Sequence, residues 1–146
     1  MQPFRKIVVA TDFGDSSERA LERASDLANR YSAELIVVHA VEVALPAFPI
    51  ALTPEPEHAY AAAQLGLLSV VERVQATVPG ATSTLLRGGP ADQILSFVEA
   101  NAVDLVVLGT HGRKGPSRWL LGSVAEKVVR SCRVEVLTVH DAKHAK

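Results

Sequence analysis

A run of apolar, largely β-branched residues with no polar alternation, Arg5 to Thr11 (RKIVVAT), recurs at Glu34 to Val41 (ELIVVHAV) and again at Asp104 to Leu108 (DLVVL). A strand with one wet face alternates apolar and polar side chains, so an unbroken run of this length reads as a strand covered on both faces. Between the first two runs, Asp15, Ser16 and Ser17 offer N-cap oxygens, and Glu18 stands three residues after Asp15 as in a capping box. Ala20, Leu21, Ala24, Leu27, Ala28 and Tyr31 then follow at helical spacing. The result is a strand, helix, strand unit with a right-handed crossover.

From 42 to 57 the composition changes. Pro46, Pro49, Pro54 and Pro56 exclude a continuous helix or central strand and predict a surface loop. His58 to Thr77 reads as a long helix with Leu68, Val71, Val74 and Val78 along one stripe, interrupted in propensity by Gly66. Thr82 to Arg87 is a third strand, closed by Gly88 and Gly89. Pro90 fits the first turn of a helix with Ile94, Leu95 and Val98 on its inner face. Ser123 and Glu126 form an S-x-x-E capping box that opens a helix carrying Val124, Val128 and Val129, before a last strand, Val134 to Val139.

The order βαβαβαβαβ predicts an α/β domain over 1–146, with an open, parallel, five-stranded, Rossmann-like sheet covered by helices on both faces and a frayed tail over 141–146. In the strand order 3-2-1-4-5, the crevice beyond the carboxyl ends of strands one and four is where such sheets take ligands. Those ends carry Asp12 and Gly109.

Composition narrows the function. Fifteen Lys and Arg against sixteen Asp and Glu leave a net charge of -1, so no global field steers the protein onto nucleic acid or an anionic membrane, and an anion site must be local. Cys132 is the one cysteine, which removes intrachain disulfides and Cys-rich zinc patterns and suits a reducing compartment. The apolar runs are far shorter than the roughly 20 residues of a spanning helix. The chain therefore reads as cytoplasmic, with no membrane partner.

The segment Gly109-Thr110-His111-Gly112-Arg113-Lys114-Gly115-Pro116-Ser117-Arg118-Trp119-Leu120-Leu121-Gly122-Ser123 has the form G-x2-G-x9-G-[ST], between a strand and a helix. Glycines allow close approach of an anion, the first-turn amides of Ser123, Val124 and Ala125 point outward, and the helix N-terminus favours negative charge. Arg113, Lys114 and Arg118 add positive charge, with no acid between Gly109 and Arg118. A polyphosphate is the ligand this pattern suits.

With this loop, VVATDFGDSSERA at 8–20, DLVVLGTHGRKG at 104–115 and LLGSVAEKVVR at 120–130, the chain resembles the universal stress protein family in its nucleotide-binding branch, from Lys6 to His140. The resemblance implies a fold like that of the adenine nucleotide alpha-hydrolases, with ATP or another adenine nucleotide bound together with Mg. It also implies a nucleotide-responsive regulatory or stress-response role in which occupancy alters conformation or the choice of a protein partner. By the same resemblance Ala10 lines the adenine, with Ala40 at the base's other edge, and Thr11 belongs to the nucleotide site. Asp12 meets the ribose or a nucleotide-borne metal, and Gly109, Gly112, Arg113, Gly122, Ser123 and Val124 serve the ribose and phosphates. Small side chains at Ala10 and Ala40 leave room for a purine, and a carboxylate accepts from ribose hydroxyls. The family's last strands pair into homodimers; here Glu135 precedes Val136 where the family usually has Pro-Val.

The alternative is a slow, metal-dependent ATPase or nucleotidyl-transfer enzyme using the same pocket. Against it, the chain has no Walker A motif and no second acid partnered with Asp12. A phosphorelay receiver would need an acid where Arg87 ends strand three, and a dinucleotide oxidoreductase would need G-x-G-x-x-G after strand one. His39, in a buried strand, reads as a satisfied core residue near the pocket, His111 as a loop residue that is solvated or else touches phosphate, and Trp119 as an apolar anchor or else a partner contact. The five histidines form no zinc-ligand spacing.

Overall fold

The computed structural model describes residues 3–42, 56–111 and 121–140. Residues 43–55 of the loop predicted over 42–57, Gly112, Arg113, Lys114, Arg118 and Trp119, and the tail over 141–146 lie outside the described residues. In chain order the elements are β1 (Lys6–Ala10), α1 (Asp15–Tyr31), β2 (Glu34–Val41), α2 (Pro56–Gln75), β3 (Thr82–Arg87), α3 (Pro90–Ala100), β4 (Leu105–Gly109), α4 (Ser123–Ser131) and β5 (Glu135–Val139).

The five strands form one sheet, ordered β3-β2-β1-β4-β5, with every neighbouring pair parallel. This is the predicted α/β architecture. β1 is the hinge of the topology: Ile7, Val8 and Val9 pair with Leu35, Ile36 and Val37 on one side and with Leu105, Val106 and Val107 on the other. The Asp104 carboxylate accepts from the amides of Arg5 and Lys6, at 2.8 and 2.9 Å, fastening the start of β1 to the start of β4.

Alternate residues of the unbroken apolar runs feed two cores, as the pleat requires. Ile7, Val9, Leu35, Val37 and Val107 face α1 and α2, where they meet Leu21, Ala24, Leu67 and Val71. Val8, Ile36, Val38, Val106 and Leu108 face the other way, onto Ile94 and Val98 of α3 and Ala125 and Val128 of α4. Both sides of the central strands are therefore dry, which explains why no polar alternation is written into them.

Several local expectations are corrected. Both predicted capping boxes are absent: the N-caps are Gly14 for α1 and Gly122 for α4, neither Asp15 nor Ser123 caps with its side chain, and each is instead the first helical residue. α3 likewise has a glycine N-cap, Gly89, with Pro90 in its first turn. In each case a glycine in extended or near-extended conformation turns the chain from strand end into helix, and in α1 and α4 the oxygen-bearing residue falls one place too late. α2 begins at Pro56, inside the stretch read as loop, because proline is tolerated in a first turn. Its buried stripe runs through Leu67, Val70, Val71 and Val74, leaving Leu68 exposed. Val129 and Tyr31 are also exposed, Tyr31 standing edge-on to Phe4.

Candidate functional site

At the carboxyl end of the sheet, where the order reverses between β1 and β4, a cleft of about 310 Å³ opens. Of the residues predicted to bind, Ala10, Thr11, Asp12, Ala40, Gly109, Gly122, Ser123 and Val124 all line it. Gly112 and Arg113 fall outside the described residues.

The lining of the cleft combines two kinds of chemistry. Ala10, Ala40, Pro90, Ile94, Leu108 and Val124 make an apolar wall continuous with the core beneath α3 and α4. Thr11, Asp12, Ser17, Thr110, His111 and Ser123 give the same lining its polar groups. Ser123, Val124 and Ala125 open α4, and first-turn amides have no acceptor within their own helix. No side chain among the described residues caps them, and all three residues line the cleft, so the positive end of the α4 dipole points into it. The Gly122 amide is used differently, donating to the Thr110 carbonyl at 2.6 Å and so holding the helix start against the end of β4.

Asp12 sits in a turn whose polar groups are closely committed. Its Oδ1 accepts from the Gly14 amide at 2.8 Å and lies 3.0 Å from the Ser17 hydroxyl. The Thr11 amide donates to the Val38 carbonyl, and the buried Thr11 hydroxyl accepts from the Phe13 amide at 3.0 Å. His39 reaches across from β2, its Nδ1 lying 2.6 Å from the Thr11 carbonyl oxygen. Between them Phe13 adopts φ +66°, a left-handed conformation that costs a non-glycine residue about 1–2 kcal/mol. Its ring rests on His39, with centroids 4.3 Å apart. On the helix side it faces Gly66, where a Cβ would stand 3.2 Å from the Phe13 ring. The one propensity fault in α2 is thus the seat of a side chain from the β1–α1 turn.

At the other side of the reversal, the Thr110 hydroxyl is buried between two imidazoles, 3.0 Å from His111 Nδ1 and 3.3 Å from His140 Nδ1. His111 is therefore a half-buried partner of β4 rather than the solvated residue expected. His39 is hydrogen-bonded, as expected, but it is half-buried, lines the cleft itself and bonds from β2 to the turn that carries Asp12. Ser17 was visible in the sequence only as a possible cap; its part in holding Asp12 needs the fold to bring the two together. Among the described residues no cluster of three or more His, Cys, Asp or Glu side chains is arranged to hold a metal ion directly.

A parallel sheet of this order, wound on both faces, with its cleft at the strand reversal, is a Rossmann-like α/β fold. The universal stress protein family description matches residues 3–140, and the chain belongs to that family. It is 33% identical to universal stress protein MJ0531 of Methanocaldococcus jannaschii, over 96% of this chain and 84% of the relative. It is 33% identical to a universal stress protein of Thermus aquaticus over 93% and 98% of the two chains. Among solved structures it is similar to the universal stress protein UspA from Lactobacillus plantarum, with a TM-score of 0.77 at 26% identity, covering 95% of this chain and 99% of that one. A universal stress protein in complex with cAMP superposes with a TM-score of 0.72 at 28% identity, over 97% and 100% of the two chains. The universal stress protein from Archaeoglobus fulgidus in complex with dAMP gives 0.68 at 25%, over 94% and 99%.

Proposed function

We propose that this universal stress protein binds an adenine nucleotide, ATP with Mg²⁺ foremost, in the cleft between β1 and β4, and acts as a nucleotide-responsive regulator. The observation that carries the reading is one cleft lined both by small, apolar side chains and by polar groups, together with the start of α4, whose first-turn amides no described side chain caps. A purine fits the wall made by Ala10, Ala40, Pro90 and Ile94, since two alanines leave it shallow. Phosphates are suited to the α4 amides, where backbone donors and the helix dipole act together. Asp12 also lines the cleft, where a carboxylate can accept from ribose hydroxyls or ligate a phosphate-borne Mg²⁺. Relatives solved with cAMP and dAMP support an adenine ligand.

Binding confined to the folded state stabilises it, by about 2.7 kcal/mol at a ligand concentration one hundred times Kd. For a domain of this size that corresponds to a rise in Tm of about 5–10 °C with saturating MgATP. Titration calorimetry with ATP, ADP, AMP and cAMP provides the direct check, and an absence of binding heat for all four at millimolar concentration would remove the reading.

We also propose a homodimer formed through β5. The two edges of the sheet differ: β3 begins Thr82-Ser83-Thr84, whereas β5 offers Val136, Leu137 and Val139, all half-buried, beyond a single exposed charge at Glu135. An apolar edge with unpaired backbone groups is an aggregation hazard that twofold pairing removes. Sedimentation equilibrium should give twice the chain mass at micromolar concentration, and a monomer would count against the pairing.

A further inference from the structure

We propose that His39 is a positioning residue whose ring sets the Thr11–Gly14 turn and thereby holds Asp12 at the cleft; its consequence for ligand affinity rests on the nucleotide-binding reading above. A carbonyl oxygen only accepts hydrogen bonds. The 2.6 Å contact with the Thr11 carbonyl therefore requires a proton on His39 Nδ1, which makes the neutral ring the Nδ1–H tautomer with Nε2 unprotonated.

The Thr11 amide is already committed to Val38 and its hydroxyl to the Phe13 amide, so His39 supplies the donor for the residue's remaining polar group. That carbonyl belongs to the peptide unit joining Thr11 to Asp12, and a hydrogen bond there fixes the plane from which Asp12 departs. The same imidazole supports the Phe13 ring, whose left-handed backbone is the next link in the turn. A strained residue of this kind persists only where its surroundings over-determine it. One β2 side chain thus holds the turn at two points, Thr11 and Phe13, on either side of Asp12. A histidine serving only to fill the space beside Phe13 would be replaceable by leucine without effect on the cleft.

The test compares His39→Leu, which keeps bulk and loses the donor, with His39→Asn, whose amide nitrogen can reach the position of Nδ1 without the ring. In ligand-free protein, the amide resonances of Asp12, Phe13 and Gly14 should move in His39→Leu and return toward wild type in His39→Asn. MgATP affinity should fall about tenfold in the leucine variant and recover to within about threefold of wild type in the asparagine variant, a change large enough for calorimetry to resolve. Wild-type affinity in His39→Leu, or unmoved turn resonances in it, would overturn the proposal. So would a loss of affinity that His39→Asn leaves uncorrected, since ring bulk rather than the donor would then be responsible.

Nitrogen-resolved NMR of the wild-type imidazole decides the matter even where His39→Leu does not fold. The Nδ1–H tautomer supports the proposal, and the Nε2–H tautomer refutes it. If wild-type protein binds no adenine nucleotide, the functional reading fails by itself, while the tautomer and the turn resonances still decide whether His39 sets the turn.

Discussion

Replacing Gly109 with alanine is expected to lower the stability of the domain by about 3 kcal/mol, near the upper end of what an added core methyl costs. A Cβ at this position would stand 2.5 Å from Ser16 Oγ and 2.8 Å from both the Ser16 carbonyl carbon and its Cβ. The first of these atoms could swing away, but the carbonyl carbon is backbone and moves only if the start of α1 moves with it. Ser16 is itself buried and its hydroxyl donates to the Val139 carbonyl, so the displacement would extend to β5. Thermal unfolding should show Tm lower by about 6–12 °C for a chain of this size. Adding Ser16→Gly removes the side-chain part of the clash and should recover some of the loss, leaving the backbone part. A single variant melting within a degree or two of wild type would mean that α1 is not seated on Gly109.

Gly122→Val is expected to do the opposite: to spare the fold and abolish MgATP binding, with Kd rising by about 100-fold, or about 2.8 kcal/mol. Gly122 sits at φ −60° and ψ 154°, values that a β-branched residue adopts without strain. The loss of a favourable N-cap costs roughly 1 kcal/mol, so the circular dichroism spectrum should be retained and Tm should fall by only a few degrees. Yet Gly122 lines the cleft immediately before the α4 amides, where three added carbons occupy the approach of an anion. Affinity unchanged in this variant would assign the phosphates elsewhere and leave the glycine with only its helix-start role. Together the two glycine variants separate a residue needed by the fold from one proposed to be needed by the ligand.

The two glycines also mark how far the sequence can be read. Strand runs such as RKIVVAT and DLVVL were legible because burial on both faces removes polar residues, and the ends of β1 and β4 followed from the topology those runs imply. Gly122 was legible as part of a spaced motif. The seat of α1 on Gly109 was not, since the atom it meets belongs to Ser16 and nothing local links them. The helix starts were misread because an oxygen-bearing residue next to a glycine satisfies a capping pattern equally well whether the helix begins on it or after it. The choice of Leu67 over Leu68 has the same origin: either leucine continues a stripe through Val71 and Val74, and the rotation of α2 against β2 decides. The turn around Asp12 was the least legible part. It depends on a positive φ at Phe13, on a missing Cβ at Gly66 and on a histidine from another strand, three features that meet only after folding.

The central place of β1 has a consequence for the order in which the protein is made. β1 is synthesised before all its partners, and β2 and β3 follow soon enough to form half of the sheet. The partner for its other edge, Leu105 to Val107, comes about one hundred residues later, as do the carboxylate of Asp104 and the second covering layer of α4. At translation rates of roughly 5–20 residues per second, the ribosome holds a nascent chain with Ile7, Val8 and Val9 unpaired along that edge for about 5–20 seconds. An apolar strand edge exposed for that long invites pairing with other chains, so the hazard of mispairing is greatest during biosynthesis, before β4 arrives to cover it.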